Sequence, residues 1–391
     1  MKRKKSAILG AAFLMATSAI GPGFLTQTTV FTQQLLASFG FVILITILLD
    51  IGAQLNIWRI LTMSNLRAQD VANKIVPGLG YFLAAIIVLG GVAFNIGNLA
   101  GCGLGLEVLF GIQPEVGAAI SCVVALFIFW LKEVGNALDT FAKVLGILMI
   151  LLTAYVAIHS HPPLLEVVHR SFIPERIDPL SIVTLVGGTV GGYISFAGAH
   201  RLLDAGITGT NNLSQVNQSA VSGIVITGLM RVVLFLAALG VVVSGTVLTK
   251  NNPASSVFQV AAGDVGFKFF GIVIWCAAIT SVVGCAYTSI SFVTSFHQSL
   301  ADNQRYIISG FILFSATIFI LVGNPVRLLV MAGTVNGITL PVALGIILLA
   351  SRNKKIVHDY QHPPWLEAIG WMVVVLMGTM SAYSLVKFIN S

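Results

Sequence analysis

Two stretches decide how this sequence is read: Ser18-Ala-Ile-Gly-Pro-Gly-Phe-Leu-Thr-Gln-Thr28 and Gly187-Gly-Thr-Val-Gly-Gly-Tyr-Ile-Ser-Phe-Ala-Gly-Ala-His200. Each lies inside a long apolar run, and each should break a helix. Proline lacks an amide donor and clashes with the turn before it, and glycine is a poor helix former. Gly21-Pro22-Gly23 therefore unwinds the first run. In the second, Gly187, Gly188, Gly191 and Gly192 fall within six positions, and Gly198 follows. Backbone outside a helix is tolerated at membrane depth only where it is buried in protein or lines a cavity. A pair of interrupted segments at corresponding places in two halves points to a transporter's solute site. The alternative is that glycines let helices approach closely, which accounts well for Gly90 and Gly91.

Outward from these breaks, the chain is made for lipid. Of its residues 57% are hydrophobic and 9% charged, against about 25% charged in soluble domains. Eleven runs are long and apolar enough to span: 7–35, 40–62, 79–108, 115–131, 140–158, 180–204, 219–247, 266–297, 304–322, 326–350 and 365–388. They are continuous, without the alternation of a β-barrel, so the expected fold is all-α and polytopic. The broken runs open two five-helix halves, about 7–158 and 180–350, and 365–388 is an extra helix. The loops between are too short for a soluble domain.

The net charge of +7 reflects membrane topology rather than nucleic-acid binding. With a cytoplasmic N-terminus, fourteen Lys and Arg fall on the inner side and six on the outer, Arg231 lying within a helix. The positive-inside rule favours that orientation and, with eleven spans, places the C-terminus outside. Lys2-Arg3-Lys4-Lys5 before an apolar run, with small residues at 16–19, also fits a signal peptide. A first spanning helix is preferred, because cleavage would destroy the Gly-Pro-Gly feature. Cys102, Cys122, Cys276 and Cys285 lack CxxC spacing and are expected as small packing hydrophobes.

The order of motifs resembles the Nramp family of metal-ion transporters, across most of the first eight runs. Gly21-Pro-Gly-Phe-Leu-Thr26 stands where that family has Asp-Pro-Gly-Asn, and Thr189-Val-Gly-Gly-Tyr-Ile194 where it has a methionine-proline-histidine break. Asn95-Ile-Gly-Asn-Leu-Ala-Gly101 and Gly105-Leu-Glu-Val-Leu-Phe-Gly-Ile112 are similar to its third helix. Phe172-Ile-Pro174 is similar to the loop before its sixth, and Thr280-Ser-Val-Val-Gly284 to a polar stretch in its eighth. The resemblance implies a LeuT-type 5+5 inverted repeat and secondary transport by alternating access. It also exposes departures. The family's metal ligands on helices 1 and 6 correspond to Gly21, Phe24 and Gly191, none of which offers a side-chain donor to a dehydrated divalent cation. The acidic residues of its third helix correspond to Asn95 and Asn98.

Each break leaves a half-helix N-terminus, expected just after Gly23 and just after Gly192, with unsatisfied amides and a positive partial charge that favour an anion. Gly21, Gly23, Phe24, Thr26, Gln27, Gly191, Gly192 and Tyr193 are the expected substrate-binding residues, Thr28 and Ser195 standing nearby. The expected solute is small and ionic: bicarbonate or a small carboxylate. A Mn²⁺ or Mg²⁺ transporter with a rebuilt, backbone-lined site is the alternative. For a coupling ion, Na⁺ in the first instance, the candidates are Thr280, Ser281, Asp50, Asn95, Asn98 and His200; against Thr280 and Ser281 stands the habit of membrane hydroxyls to bond their own helix carbonyls. Asp50 and Arg231, ionisable inside the membrane, are functional candidates by default or an ion pair. His200 and Asp204, four residues apart, suggest a structural pair at the cytoplasmic mouth. Glu107 and the histidines of the 159–169 loop are expected to be solvated. Neither HExxH nor a nucleophile elbow appears, so an intramembrane enzyme is a weak alternative. GxxxxGK[ST] is also absent, which argues against ATP-driven transport. Two matched breaks argue against a channel. No resident cofactor or metal is expected, no partner protein is evident, and the environment is a plasma-membrane bilayer.

Overall fold

The computed structural model describes residues 19–389, with the backbone alone for 132–145 and 388–389. The start of the first apolar run, its basic leader Lys2–Lys5 and the small residues at 16–18 lie outside the described residues. Among the described residues every element is helical. In chain order these are α1 (Pro22–Leu35), α2 (Phe39–Ser64), α3 (Ala68–Ile75), α4 (Leu79–Phe110), α5 (Pro114–Trp130), α6 (Lys132–His159), α7 (Leu164–Phe172) and α8 (Pro179–Thr189). They continue with α9 (Tyr193–Asp204), α10 (Leu213–Val243), α11 (Pro253–Thr294), α12 (Gln298–Asp302), α13 (Gln304–Val322), α14 (Pro325–Ala350), α15 (Lys354–Val357) and α16 (Pro364–Ile389).

Eight helical units among the described residues are long and apolar enough to cross a membrane. That number takes α1 with α2, and α8 with α9, as single units. Separating α1 from α2 at Leu36 (φ 49), and adding the shorter apolar α5 and the apolar stretch that ends α6, gives eleven units that correspond to the expected runs over the described residues. Proline stands at the first position of α1, α5, α8, α11, α14 and α16, where its missing amide would be unsatisfied anyway. The side chains of Asp178, Asn252 and Asn324 cap α8, α11 and α14.

Several boundaries differ from expectation. The half-helix after the first break begins at Pro22 rather than after Gly23, because Gly21 already holds the extended N-cap conformation (φ −115°, ψ −170°). The run expected at 266–297 is preceded by a further helical piece from Pro253, joined at Gly263, whose φ of 61 interrupts the helix. The expected loop holding His169 is helical over α7, folded back at 104° from the end of α6.

The site is positioned by two layers of packing. α4 runs against α11, α14, α5 and α13, while α2 runs against α10, α9 and α8. α1 lies between the layers, touching α4, α11 and α14 on one side and α10 and α8 on the other. Lipid gives helices no hydrophobic drive to associate, so close backbone approach carries the packing. Gly101 of α4 receives the ring of Pro22, and Gly187 of α8 sits directly on the backbone of Gly333 and Gly337 in α14. The two Gly-Gly pairs of the sixth run thus divide the work. Gly187 and Gly188 are helical packing residues, and Gly191 and Gly192 form the break.

Candidate functional site

At the first break, Gly21 is buried with no side-chain cap on α1. A Cβ built on it would stand 3.8 Å from Ser281 Oγ and 3.9 Å from Asn98 Oδ1. The exposed backbone of α1 therefore faces an amide of α4 and a hydroxyl of α11 across a gap wide enough for a methyl group. Thr280, next to Ser281, donates its hydroxyl to Cys276 O and Ala277 O of its own helix. Thr28 likewise donates to Phe24 O at 2.7 Å; Thr26 is buried beside it. Gln27 behaves differently. Its Nε2 donates to Leu329 O of α14 at 2.9 Å, while its Oε1 stands over Gly188 without a partner. It ties α1, α8 and α14 together within one turn of the break. Gly23 lies over the same Gln27 and Leu329.

The second break comprises Val190, Gly191 and Gly192. Val190 and Gly191 both donate to Val186 O, at 2.9 and 3.2 Å, an uneven ending that frees the next turn. Gly192 turns the chain at φ 53. Gly191 is sealed by backbone: a Cβ there would meet Gly187 O at 2.6 Å and Asn336 O at 2.7 Å. Asn336 of α14 reaches across with its amide nitrogen, donating to Gly90 O at 2.9 Å and Ala332 O at 2.8 Å. Its Oδ1 lies against Gly192 with no partner. Tyr193 opens α9 with its ring edge-on to Phe94, at 5.6 Å. Asn95, wholly buried, has neither amide atom partnered, and Asn98 has its Nδ2 free of partners. Buried polar groups are normally satisfied, and each exception calls for an explanation. Those on Gln27, Asn95, Asn98 and Asn336 gather around the two breaks.

Behind the breaks, on the α2 and α10 side, sits Arg231. It is 3% exposed. Its Nη1 donates to Thr189 Oγ1 at 3.1 Å, and its Cζ lies 4.5 Å from the Phe24 ring centroid. Its Nε and Nη2 have no partner. Asp50 on α2, 1% exposed, has Arg231 and Thr189 as its electrostatic neighbours. The expected direct ion pair is not formed. The three ion pairs among the described residues are Arg67–Asp204, Arg170–Glu175 and Arg352–Glu367, and Thr189 stands between Arg231 and the carboxyl.

His200 lies away from the breaks. Its Nε2 accepts from the Ala68 amide at 3.3 Å and its ring packs on Phe292 and Phe196. Asp204 turns instead to Arg67 at 2.9 Å, so the expected His–Asp pair is replaced by two separate ties from α9 to the α2–α3 corner. Glu107 is not fully solvated, since its Oε2 is shut from solvent without a partner. Asn336 and the Leu329 carbonyl were not anticipated from the sequence. An asparagine inside an apolar run is the signal that would have found the first. A carbonyl carries no sequence signal. Among the described residues no three of His, Cys, Asp and Glu converge to hold a metal.

Residues 12–387 match the sequence profile of the family described as natural resistance-associated macrophage protein-like, or Nramp. The chain belongs to the Nramp family. It is 57% identical to the membrane protein YcsG of Bacillus subtilis (strain 168), over 97% of this chain and 94% of that one. It is 24% identical to the divalent metal cation transporter MntH of Klebsiella pneumoniae, over 98% and 95%. In fold it is similar to a manganese transporter of Eremococcus coleocola, with a TM-score of 0.74 at 14% identity over 97% and 86% of the two chains. The transporter MhsT in complex with L-phenylalanine follows at 0.65 and 15%, over 95% and 98%. The fold is thus that of LeuT-type transporters, and the chain is an integral membrane protein of a transporter family. In this Nramp chain the two breaks carry Gly21, Phe24 and Gly191, none of which has a side-chain donor for a metal.

Proposed function

We propose that this Nramp-family chain is a secondary transporter of a small anion, of bicarbonate or small-carboxylate size, working by alternating access at the two breaks. The N-terminus is cytoplasmic, and two five-helix repeats rock about the site. The observation that carries this reading is the donor set. Gly21, Phe24 and Gly191 present no ligand, and the backbone around Gly191 leaves no room for one. What the breaks do present is the amide-rich first turn of α1, with no acidic residue in it, and neutral amides and hydroxyls from Gln27, Asn98, Asn336 and Ser281. Such a lining suits an anion or a strongly polar solute.

A divalent cation is the second reading, favoured by relatives named as metal cation transporters. It would have to be held by backbone carbonyls and the Asn98 and Gln27 amide oxygens. Calorimetric titration of the purified chain with Mn²⁺, Mg²⁺, bicarbonate, acetate, lactate and succinate, each with and without Na⁺, decides between them. Anion binding without a metal response is expected. Micromolar metal binding with no anion response would establish the second reading. A dependence on Na⁺ would show a coupling ion, for which the gap between Ser281, Asn98 and the Gly21 backbone is the candidate place.

A further inference from the structure

Arg231 is hard to explain as scaffold. A charged side chain inside a membrane protein normally pairs with an opposite charge or a set of carbonyls, and a buried guanidinium with orphaned donors is costly. Arg231 has one bond, to Thr189, while Nε and Nη2 have no partner. Those two N–H groups form one edge of the guanidinium fork, the geometry that takes two oxygens of a carboxylate. The group borders both breaks. Phe24 beneath it is in the first turn of α1, and Thr189 is the last residue of α8 before the second break. Asp50 completes the charge balance, and its Oδ1 is also buried without a partner.

Resting on the anion reading above, we propose that Arg231 is the carboxylate-binding residue of this carrier, and that Asp50 is its resident counter-charge, which takes up a proton from solvent when the anion arrives. With Arg231 positive and Asp50 negative, the empty site is neutral. An incoming carboxylate would leave one excess negative charge in a dry interior. Protonating Asp50 restores neutrality, so anion and proton enter together. Arg231 from α10 is the charged group acting on Asp50, beside the Thr189 hydroxyl of α8. The other titratable and charged groups stand toward the ends of α2. Arg170 and Glu175 lie toward its Phe39 end, where Glu175 meets Ser38. Arg59, His362 and Glu367 lie toward its Ser64 end, with Arg67, His200 and Asp204 beyond.

The test uses the full chain in lipid nanodiscs, titrated with acetate, lactate, succinate and bicarbonate in two buffers of different ionisation enthalpy, between pH 6 and 8. Wild type should bind at least one anion, with about one proton taken up per anion and affinity falling as pH rises. Arg231→Met should weaken binding about 10- to 100-fold, the range for losing a charged hydrogen bond. Arg231→Lys, which keeps the charge but not the fork, should fall between. Asp50→Asn should abolish proton uptake, flatten the pH dependence and bind more tightly than wild type at pH 8. If Arg231→Met and Arg231→Lys both remain monodisperse and bind within twofold of wild type, Arg231 is only a structural tie to Thr189 and the inference fails while the anion reading stands. Wild-type anion binding without proton uptake overturns the role of Asp50. No anion response in wild type overturns the inference together with the reading beneath it.

Discussion

Gly192 and Gly263 both hold positive φ, 53 and 61, yet they should respond differently to a single methyl group. A Cβ on Gly263 meets nothing within 4 Å, whereas one on Gly192 would overlap the Asn336 carboxamide. Gly263→Ala therefore carries only the cost of forcing alanine into a glycine-only backbone conformation (φ 61, ψ −159), about 1–3 kcal/mol. Gly192→Ala adds overpacking, about 1–3 kcal/mol more, and displaces the amide that ties α14 to Gly90. Gly21→Ala, with its nearest contacts at 3.8 and 3.9 Å and φ in the ordinary range, should leave stability within about 0.5 kcal/mol. Thermal unfolding of the three purified variants checks the order. A Gly192→Ala protein as stable as Gly263→Ala would mean that the second break is not held as described. The sequence marks both breaks because Gly and Pro act locally. It cannot mark which glycine of each pair opens the chain, since Gly187 and Gly191 differ only in what α14 sets against them.

The segment between α14 and α16 shows the same limit for a whole element. It carries α15 and then Tyr360 and His362, which insert beside Asn56 of α2. His362 Nε2 donates to Asn56 Oδ1 at 2.8 Å, and its Nδ1 accepts from the Tyr360 hydroxyl at 3.2 Å. Asn56 in turn donates to Gly52 O and Leu366 O. Burial, and then the neighbouring Arg59 charge, push the His362 pKa down from 6.5 to about 4, with Glu367 opposing. In that window the unfolded chain takes up a proton that the folded chain refuses. Stability should therefore fall as pH drops from about 6.5 to about 4, by on the order of 1–2 kcal/mol after solvent screening. His362→Gln, which can still donate to Asn56, should flatten this limb. An unchanged acid limb in the variant would show that another group carries it. Nothing in the order His-Pro-Pro-Trp reveals this contact, because Asn56 lies more than three hundred positions away. The contacts of Gln27 with Leu329 and Asn336 with Gly90 were hidden in the same way. Thr280 and Thr28 did follow a local rule, since the carbonyls that accept from them lie three or four residues back.

For the whole molecule, the long apolar runs made the spanning helices legible, and the tertiary contacts sort their connections on to two faces. Arg67 meets Asp204, Gln69 meets Ser295, and the Gly209 amide donates to Thr62 O. His362 on the α14–α16 connection joins the same side through Asn56. On the other face Glu175 donates to Ser38, Lys268 donates to Val108 O and Leu109 O, and Glu115 approaches Gly323. These groupings alternate as successive membrane crossings require, so a single orientation assigns every connection at once. The face of Arg67, Arg201, Arg305, Arg352, Lys354 and Lys355 carries the excess of basic residues in the loops, and on the positive-inside rule we propose that it is the cytoplasmic one. Cysteine labelling tests this with little background, because all four native cysteines are buried. In intact cells, Asn251→Cys should react with a membrane-impermeant maleimide, and Lys354→Cys should react only after permeabilisation; both positions are exposed. The reverse pattern would invert the assignment. It would also place the ties from α9 and His362 on the outer face.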